Sequence, residues 1–204
     1  MGPSASWWWL WTGLTFVVGC AGGQDAPSVA GLGGGPVATL AAGGATIAIG
    51  PRTVTLAAAR FGRGDALRPL GTGHRPSEVG PEVRIDRGDG IVEWWRARPH
   101  GLEHGVIVGE PPPGEGEVAI ELAIDGDLRP RAASPDVVEL VDASGRVRAT
   151  YAHLVVDDAA GRRLPARLAV EGGHARVLVH DEGAAYPLYV DPLLVATEEA
   201  MLLP

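Results

Sequence analysis

Val118 to Ile124 alternates strictly. Val118, Ile120, Leu122 and Ile124 share one face, and Glu117, Ala119, Glu121 and Ala123 share the other. A period of two predicts a half-buried antiparallel strand. Shorter runs of the same kind recur along the chain. Ala45 to Ile49 and Thr53 to Ala59 flank Gly50-Pro51. Glu82 to Ile85 leads through Asp86-Arg87-Gly88-Asp89-Gly90 into Ile91 to Arg96, which reads as a hairpin. Val137 to Val141, Ala149 to Val156, Arg167 to Val170, Arg176 to Val179 and Ala185 to Val190 follow, separated by Gly- and Asp-rich turns. The pattern predicts an all-β domain over 37–192, an antiparallel sandwich or irregular barrel of about ten short strands. No long stretch keeps helical periodicity without a Gly or Pro breaking it.

The beginning of the chain follows another pattern. Met1 to Gln24 carries no charged side chain, and Trp7 to Val18 is an apolar run of 12 residues. That length suits the core of a signal peptide, whereas a membrane span needs about 20 residues. Val17-Val18-Gly19-Cys20 follows and resembles the lipobox of bacterial lipoproteins. The resemblance implies a signal peptide over 1–19, cleavage between Gly19 and Cys20, and a diacylglycerol on the Cys20 thiol. It implies export to the cell envelope and contact with a membrane through the lipid. Ala21-Gly22 after the cysteine, in place of an acidic residue, points to the outer membrane. The leading segment Met1 to Ser6 departs from the pattern, with no Lys or Arg, and the alternative is an ordinary secretory signal or an uncleaved N-terminal anchor. Residues 20–36 are Gly-rich without apolar periodicity and predict a flexible tether behind the lipid.

Composition narrows the reading. Hydrophobic residues make up 46%, enough for a core, and 30 Gly with 17 Pro favour short strands and turns. The formal charge is -8 and no basic cluster occurs, which argues against a nucleic-acid partner. All 17 basic residues are Arg, a compositional bias rather than a binding feature. The single cysteine allows no intrachain disulfide.

Three further segments share a likeness: Gly90-Ile91-Val92-Glu93-Trp94-Trp95 with Gly101-Leu102-Glu103-His104-Gly105; Tyr151-Ala152-His153-Leu154-Val155-Val156-Asp157-Asp158 with Gly161 to Ala166; and Tyr186-Pro187-Leu188-Tyr189-Val190-Asp191-Pro192-Leu193. Together they resemble the N-terminal β-domain that precedes FG-GAP or integrin-like β-propeller repeats in large secreted bacterial proteins. The resemblance covers roughly Thr53 to Pro192 and implies a domain that packs against or caps a propeller. Residues 193–204 then resemble the entry to a first propeller strand, so the chain is expected to be either a standalone version of the domain or a truncated one, and the apolar Val195, Met201, Leu202 and Leu203 fit truncation better.

Candidate chemistry is sparse. His100-Gly101-Leu102-Glu103-His104 matches H-x-x-E-H, a zinc-peptidase pattern that works on a helix. Pro99, Gly101 and Gly105 argue against a helix here, and in a strand the two histidines would stand about 13 Å apart. Arg63-Gly64-Asp65 and Arg87-Gly88-Asp89 are RGD tripeptides, read as turn chemistry, the second at a hairpin tip. Asp125-Gly126-Asp127 and Asp157-Asp158 read as solvated turns rather than Ca²⁺ loops. Of Trp94 and Trp95, one faces inward as core and one outward, where it either meets a sugar or partner or packs on the sheet. No nucleophile motif or phosphate loop is present, and the acids are expected in loops. These observations predict a non-catalytic structural or interaction module with no cofactor and no metal, meeting a protein or glycan partner. The alternative readings are an envelope hydrolase or carbohydrate-binding protein, marked by buried carboxylates in a cleft, and a fragment of a propeller protein.

Overall fold

The computed structural model of the chain describes residues 26–31, 35–99 and 101–197. Among these residues there are sixteen strands and no helix. In chain order they are β1 (Ser28–Ala30), β2 (Val37–Ala41), β3 (Gly44–Ile49), β4 (Arg52–Arg63), β5 (Ala66–Pro69), β6 (Ser77–Val79), β7 (Glu82–Gly88) and β8 (Ile91–Arg98). Then come β9 (Gly101–Val108), β10 (Val118–Gly126), β11 (Arg129–Ser134), β12 (Val137–Val141), β13 (Val147–Asp157), β14 (Ala166–Glu171), β15 (His174–Val179) and β16 (Leu188–Ala196). Sheet A has the order β1-β2-β3-β4-β10-β15-β14, with β5 paired to the end of β4. Sheet B has the order β11-β12-β13-β16-β9-β8-β7-β6. Neighbouring strands are antiparallel, and the two open sheets face each other as a β-sandwich.

Alternation builds the core. Leu40, Ile47, Leu56, Phe61 and Ile120 point inward from sheet A. Ile85, Trp95, Leu102, Tyr151 and Leu194 meet them from sheet B. Each large side chain removed from water contributes about 1.5–3 kcal/mol.

Strand number is the first departure from expectation. The ten expected runs correspond to β3, β4, β7, β8, β10, β12, β13, β14, β15 and β16. The remaining strands are β1, β2, β5, β6, β9 and β11. β1 lies inside the segment read as a tether: it pairs with β2, and Val29 is buried against the core. β10 is covered on both faces rather than one. Its outward Ala119 packs with Leu67 and Leu178, and its outward Glu121 pairs with Arg176.

The expected boundary at Pro192 falls inside β16, which pairs with β13 on one side and β9 on the other and runs on to Ala196. A proline in a central strand has no N–H for its neighbour and calls for a bulge. β13 supplies it. The register passes from Ala152↔Leu193 to Val155↔Asp191, so His153 and Leu154 together face Pro192. His153 takes φ 55°, the left-handed region that disfavours side chains. His153→Gly should therefore stabilise the fold by about 1 kcal/mol, read as a higher denaturant midpoint. A lower midpoint would show that the bulge carries no strain.

Candidate functional site

On β8, Ile91, Glu93 and Trp95 share the inward face, so the strand drives a carboxylate into the core. Glu93 is fully buried. Its carboxylate accepts from Arg87 through Nε at 2.7 Å and through Nη2, and Arg87 is itself buried on β7. Arg87 Nη1 donates to the carbonyls of Ala42 (2.7 Å) and Thr72 (2.8 Å), which ties sheet B to the β2–β3 turn of sheet A. Glu93 Oε1 lies 2.9 Å from His104 Nε2, and His104 Nδ1 lies 2.6 Å from the Tyr151 hydroxyl. In the tautomer with the proton on Nε2, His104 donates to Glu93 and accepts from Tyr151. The Trp95 ring stacks on His104 with centroids 4.3 Å apart and indole N–H directed at Glu93.

Burial opposes ionisation of Glu93. The hydrogen bond and field of His104 and the charge of Arg87 outweigh it and hold the carboxyl below the usual carboxylate range. Burial, with the charges of Glu93 and Asp191, pushes the Tyr151 hydroxyl far above its ordinary value. Arg87, Glu93, His104 and Tyr151 thus form a sealed polar chain across the core. Each member has a partner, the condition under which a buried polar network is stable.

The outward face of sheet B holds a second group. Trp94 is 6% exposed. Its ring lies over Gly105 on β9, where a Cβ would come within 2.0 Å of the indole. Arg96 covers the ring, its Cζ 5.3 Å from the centroid. Glu103 takes Arg96 Nε at 2.6 Å and Arg98 Nε at 2.5 Å. Asp191, half-buried on β16, lies beside these groups. Burial first, then the charge of Glu103, push its carboxyl up to about 6 against the opposing pull of Arg96 and Arg98.

The residues singled out in the sequence fall as follows. Gly19, Cys20 and His100 lie outside the described residues. Glu103 and His104 are successive residues of a strand and face opposite sides of sheet B, so they share no helical face. Neither RGD presents its arginine. Arg63 is locked to Asp181 at 2.7 and 2.8 Å, and Arg87 is buried, while Asp65 and Asp89 are exposed. The second RGD is therefore only half a turn motif, because its arginine belongs to the core.

Asp158 is not a solvated turn residue. It is 4% exposed and accepts from the backbone N–H groups of Ala160, Arg162 and Ala185. These bonds lower its pKa. Asp127 accepts from the Thr53 N–H at 2.8 Å. Of the two tryptophans, Trp95 is core as expected of the inner one, and Trp94 takes the sheet-packing alternative, covered rather than open to a ligand.

Reading the sequence missed Glu93 and Arg87 as a pair and Asp191 as a half-buried acid. One signal was available: Glu93 occupies the apolar parity of Ile91 and Trp95. The buried Glu93, Glu103 and Glu121 all stand in strands, against the expectation that the acids occupy loops. Comparison with known proteins gives no relative: no family model, no curated protein and no solved structure matches the chain.

Proposed function

We propose that this chain is a lipid-anchored protein of the bacterial cell envelope whose β-sandwich is a non-catalytic structural or interaction module. The observation that carries the module reading is where the ionisable groups are spent. Glu93 holds Arg87 and His104, Asp181 holds Arg63, Glu121 holds Arg176, and Asp158 holds three backbone N–H groups. Catalysis needs a group left uncommitted toward a substrate, and these groups are committed to the fold. The Val17-Val18-Gly19-Cys20 segment supports the lipid anchor, and Ala21-Gly22 after it supports the outer membrane. The likeness of three segments to propeller-associated β-domains supports a partner that packs on the sandwich, a β-propeller or another envelope protein or glycan.

The intact mass of the protein recovered from its own membranes tests the anchor. The expected mass is the chain from Cys20 plus acyl groups, and Cys20→Ser should move the protein to the soluble fraction. An unlipidated mass, with Cys20→Ser still in the membrane fraction, overturns the anchor. The module is tested separately on a panel of ester, glycoside and peptide substrates. Among the described residues, Asp191, raised to about 6 beside Glu103, is the feature that favours a hydrolase. Turnover abolished by Asp191→Asn would establish that second reading in place of the module.

A further inference from the structure

β16 runs through the middle of sheet B, between β13 and β9. Tyr189, Asp191 and Leu193 have the outward parity, opposite to the buried Leu188, Val190 and Leu194. Tyr189 is 45% exposed, the one exposed Tyr, Trp or Phe among the described residues. Register sets it between Asp157 of β13 and Ile107 of β9. Asp157 is already held by Arg163 at 2.7 Å. Neither a ring nor a guanidinium among the described residues stacks on the phenol.

Two residues on, Asp191 shares this face. The pairings Val190↔Val106 and Leu193↔Glu103 set it opposite Gly105, over which the Trp94 indole lies. On the other side it meets Val155 of β13. Asp191 thus sits half-buried between a glycine roofed by an indole and an aliphatic side chain. Its carboxylate accepts from no described residue, and neither oxygen is shut away from water. The Trp94 indole N–H donates to no described residue either. Partial burial costs a carboxylate some of its water, and nothing in the fold supplies donors in exchange.

We propose that the outer face of sheet B around Tyr189 and Asp191 binds a neutral oligosaccharide, with a pyranose ring stacked on Tyr189 and its hydroxyls donating to Asp191. The proposal names the partner in the module reading and rests on that reading. Ligand sites combine an apolar or aromatic platform with a few polar groups that fix orientation. Tyr189 supplies the platform: the sugar lays C–H bonds on the ring, and the phenol hydroxyl stays wet. Asp191 follows about 7 Å along the strand, the span of one pyranose and its hydroxyls. The Trp94 N–H donates to a sugar oxygen beside it. Charge selects a neutral sugar. Arg96 and Arg98 are spent on Glu103, and Glu103 with Asp191 repels an acidic one.

The full-length chain titrated with cellohexaose and, separately, with N-acetylchitohexaose tests this. The backbone amide signals of Gly105, Val155 and Asp191 are the readout. At least one neutral sugar should give saturable shifts there, and hexagalacturonate should give none. Tyr189→Ala, at an exposed position outside the core, should weaken binding about tenfold. Asp191→Asn, which keeps the shape and removes the charge, should weaken it about fivefold. No shift with either neutral sugar overturns the proposal, as does binding undiminished by Tyr189→Ala. Equal shifts from a basic peptide overturn it in favour of a cationic protein partner. A dimer that Tyr189→Ala dissociates, with no sugar bound, overturns it in favour of a second copy. The fate of the sugar separates the site from the module reading. Sugar bound and recovered intact supports both. Sugar cleaved overturns the module and leaves the site, whereas no binding overturns the site and leaves the module.

Discussion

Glu93→Ala should cost about 3–5 kcal/mol of folding stability, the largest effect expected of any single substitution in the polar core. The loss exceeds what one hydrogen bond is worth because of what is left behind. Arg87 would keep a buried charge with only the Ala42 and Thr72 carbonyls as partners. His104 Nε2 would face a void, and Trp95 would lose the acceptor for its indole N–H. The double variant Arg87→Met/Glu93→Leu should fall less far than Glu93→Ala, since replacing both members of a buried pair with apolar groups is often near neutral. Urea denaturation of the three proteins checks both statements. A cost below about 1 kcal/mol for Glu93→Ala would mean that water reaches Arg87 and that the network is not sealed.

Asp191→Asn should act in the opposite direction and raise stability at pH 7.5 by about 2 kcal/mol. The carboxyl is raised from 3.8 to about 6 in the fold. At roughly 1.4 kcal/mol per unit the full linkage is about 3 kcal/mol, reduced here because Asp191 is only half-buried and solvent screens it. A group whose folded pKa lies above its unfolded value contributes stability fully below 3.8 and loses it as pH rises through about 6. The asparagine variant escapes that loss. Its advantage should be absent near pH 3.5, grow between pH 4 and 6, and level off above pH 7, read as the difference in denaturant midpoint along the series. An advantage that stays constant with pH would show that Asp191 does not titrate as its surroundings imply. Glu93 has the reverse sign: its lowered carboxyl adds stability above the ordinary value of 4.5 and gives it up in acid.

Much of the sandwich was legible because half-buried strands advertise themselves. β3 and β12 show inward apolar residues at every second position, and Gly- or Asp-rich turns bound them. β9 was not legible, because Gly101 and Gly105 stand on its outward face and the polar His104 on its inward face, so the run lacks an apolar alternation. β11 failed for another reason: nearly all of it is exposed, and Pro130 breaks the signal. The continuation of β16 was hidden by Pro192, which reads as a stop until the bulge at His153 is known.

The polar site was less legible than the fold. Glu103 lies opposite Arg96 and Glu121 opposite Arg176, pairings that depend on strand register. Register links residues distant in sequence, and only the folded sheet fixes it. The meeting of Arg52 and Arg148 on Asp142 joins the two sheets and has no local signature at all.

The position of β16 has a consequence for how the protein is made. The last strand among the described residues sits at the centre of sheet B, between β13 and β9. Until residue 196 has emerged, β6 to β9 and β11 to β13 form two separate ribbons, each with a bare edge where β16 belongs. A chain released from the ribosome or a membrane pore N-terminus first therefore cannot close this sheet progressively. It closes in one late step, and any delay exposes two sticky edges in the meantime. A factor that shields nascent chains would have most to do here, and its work would end when Leu194 slots home.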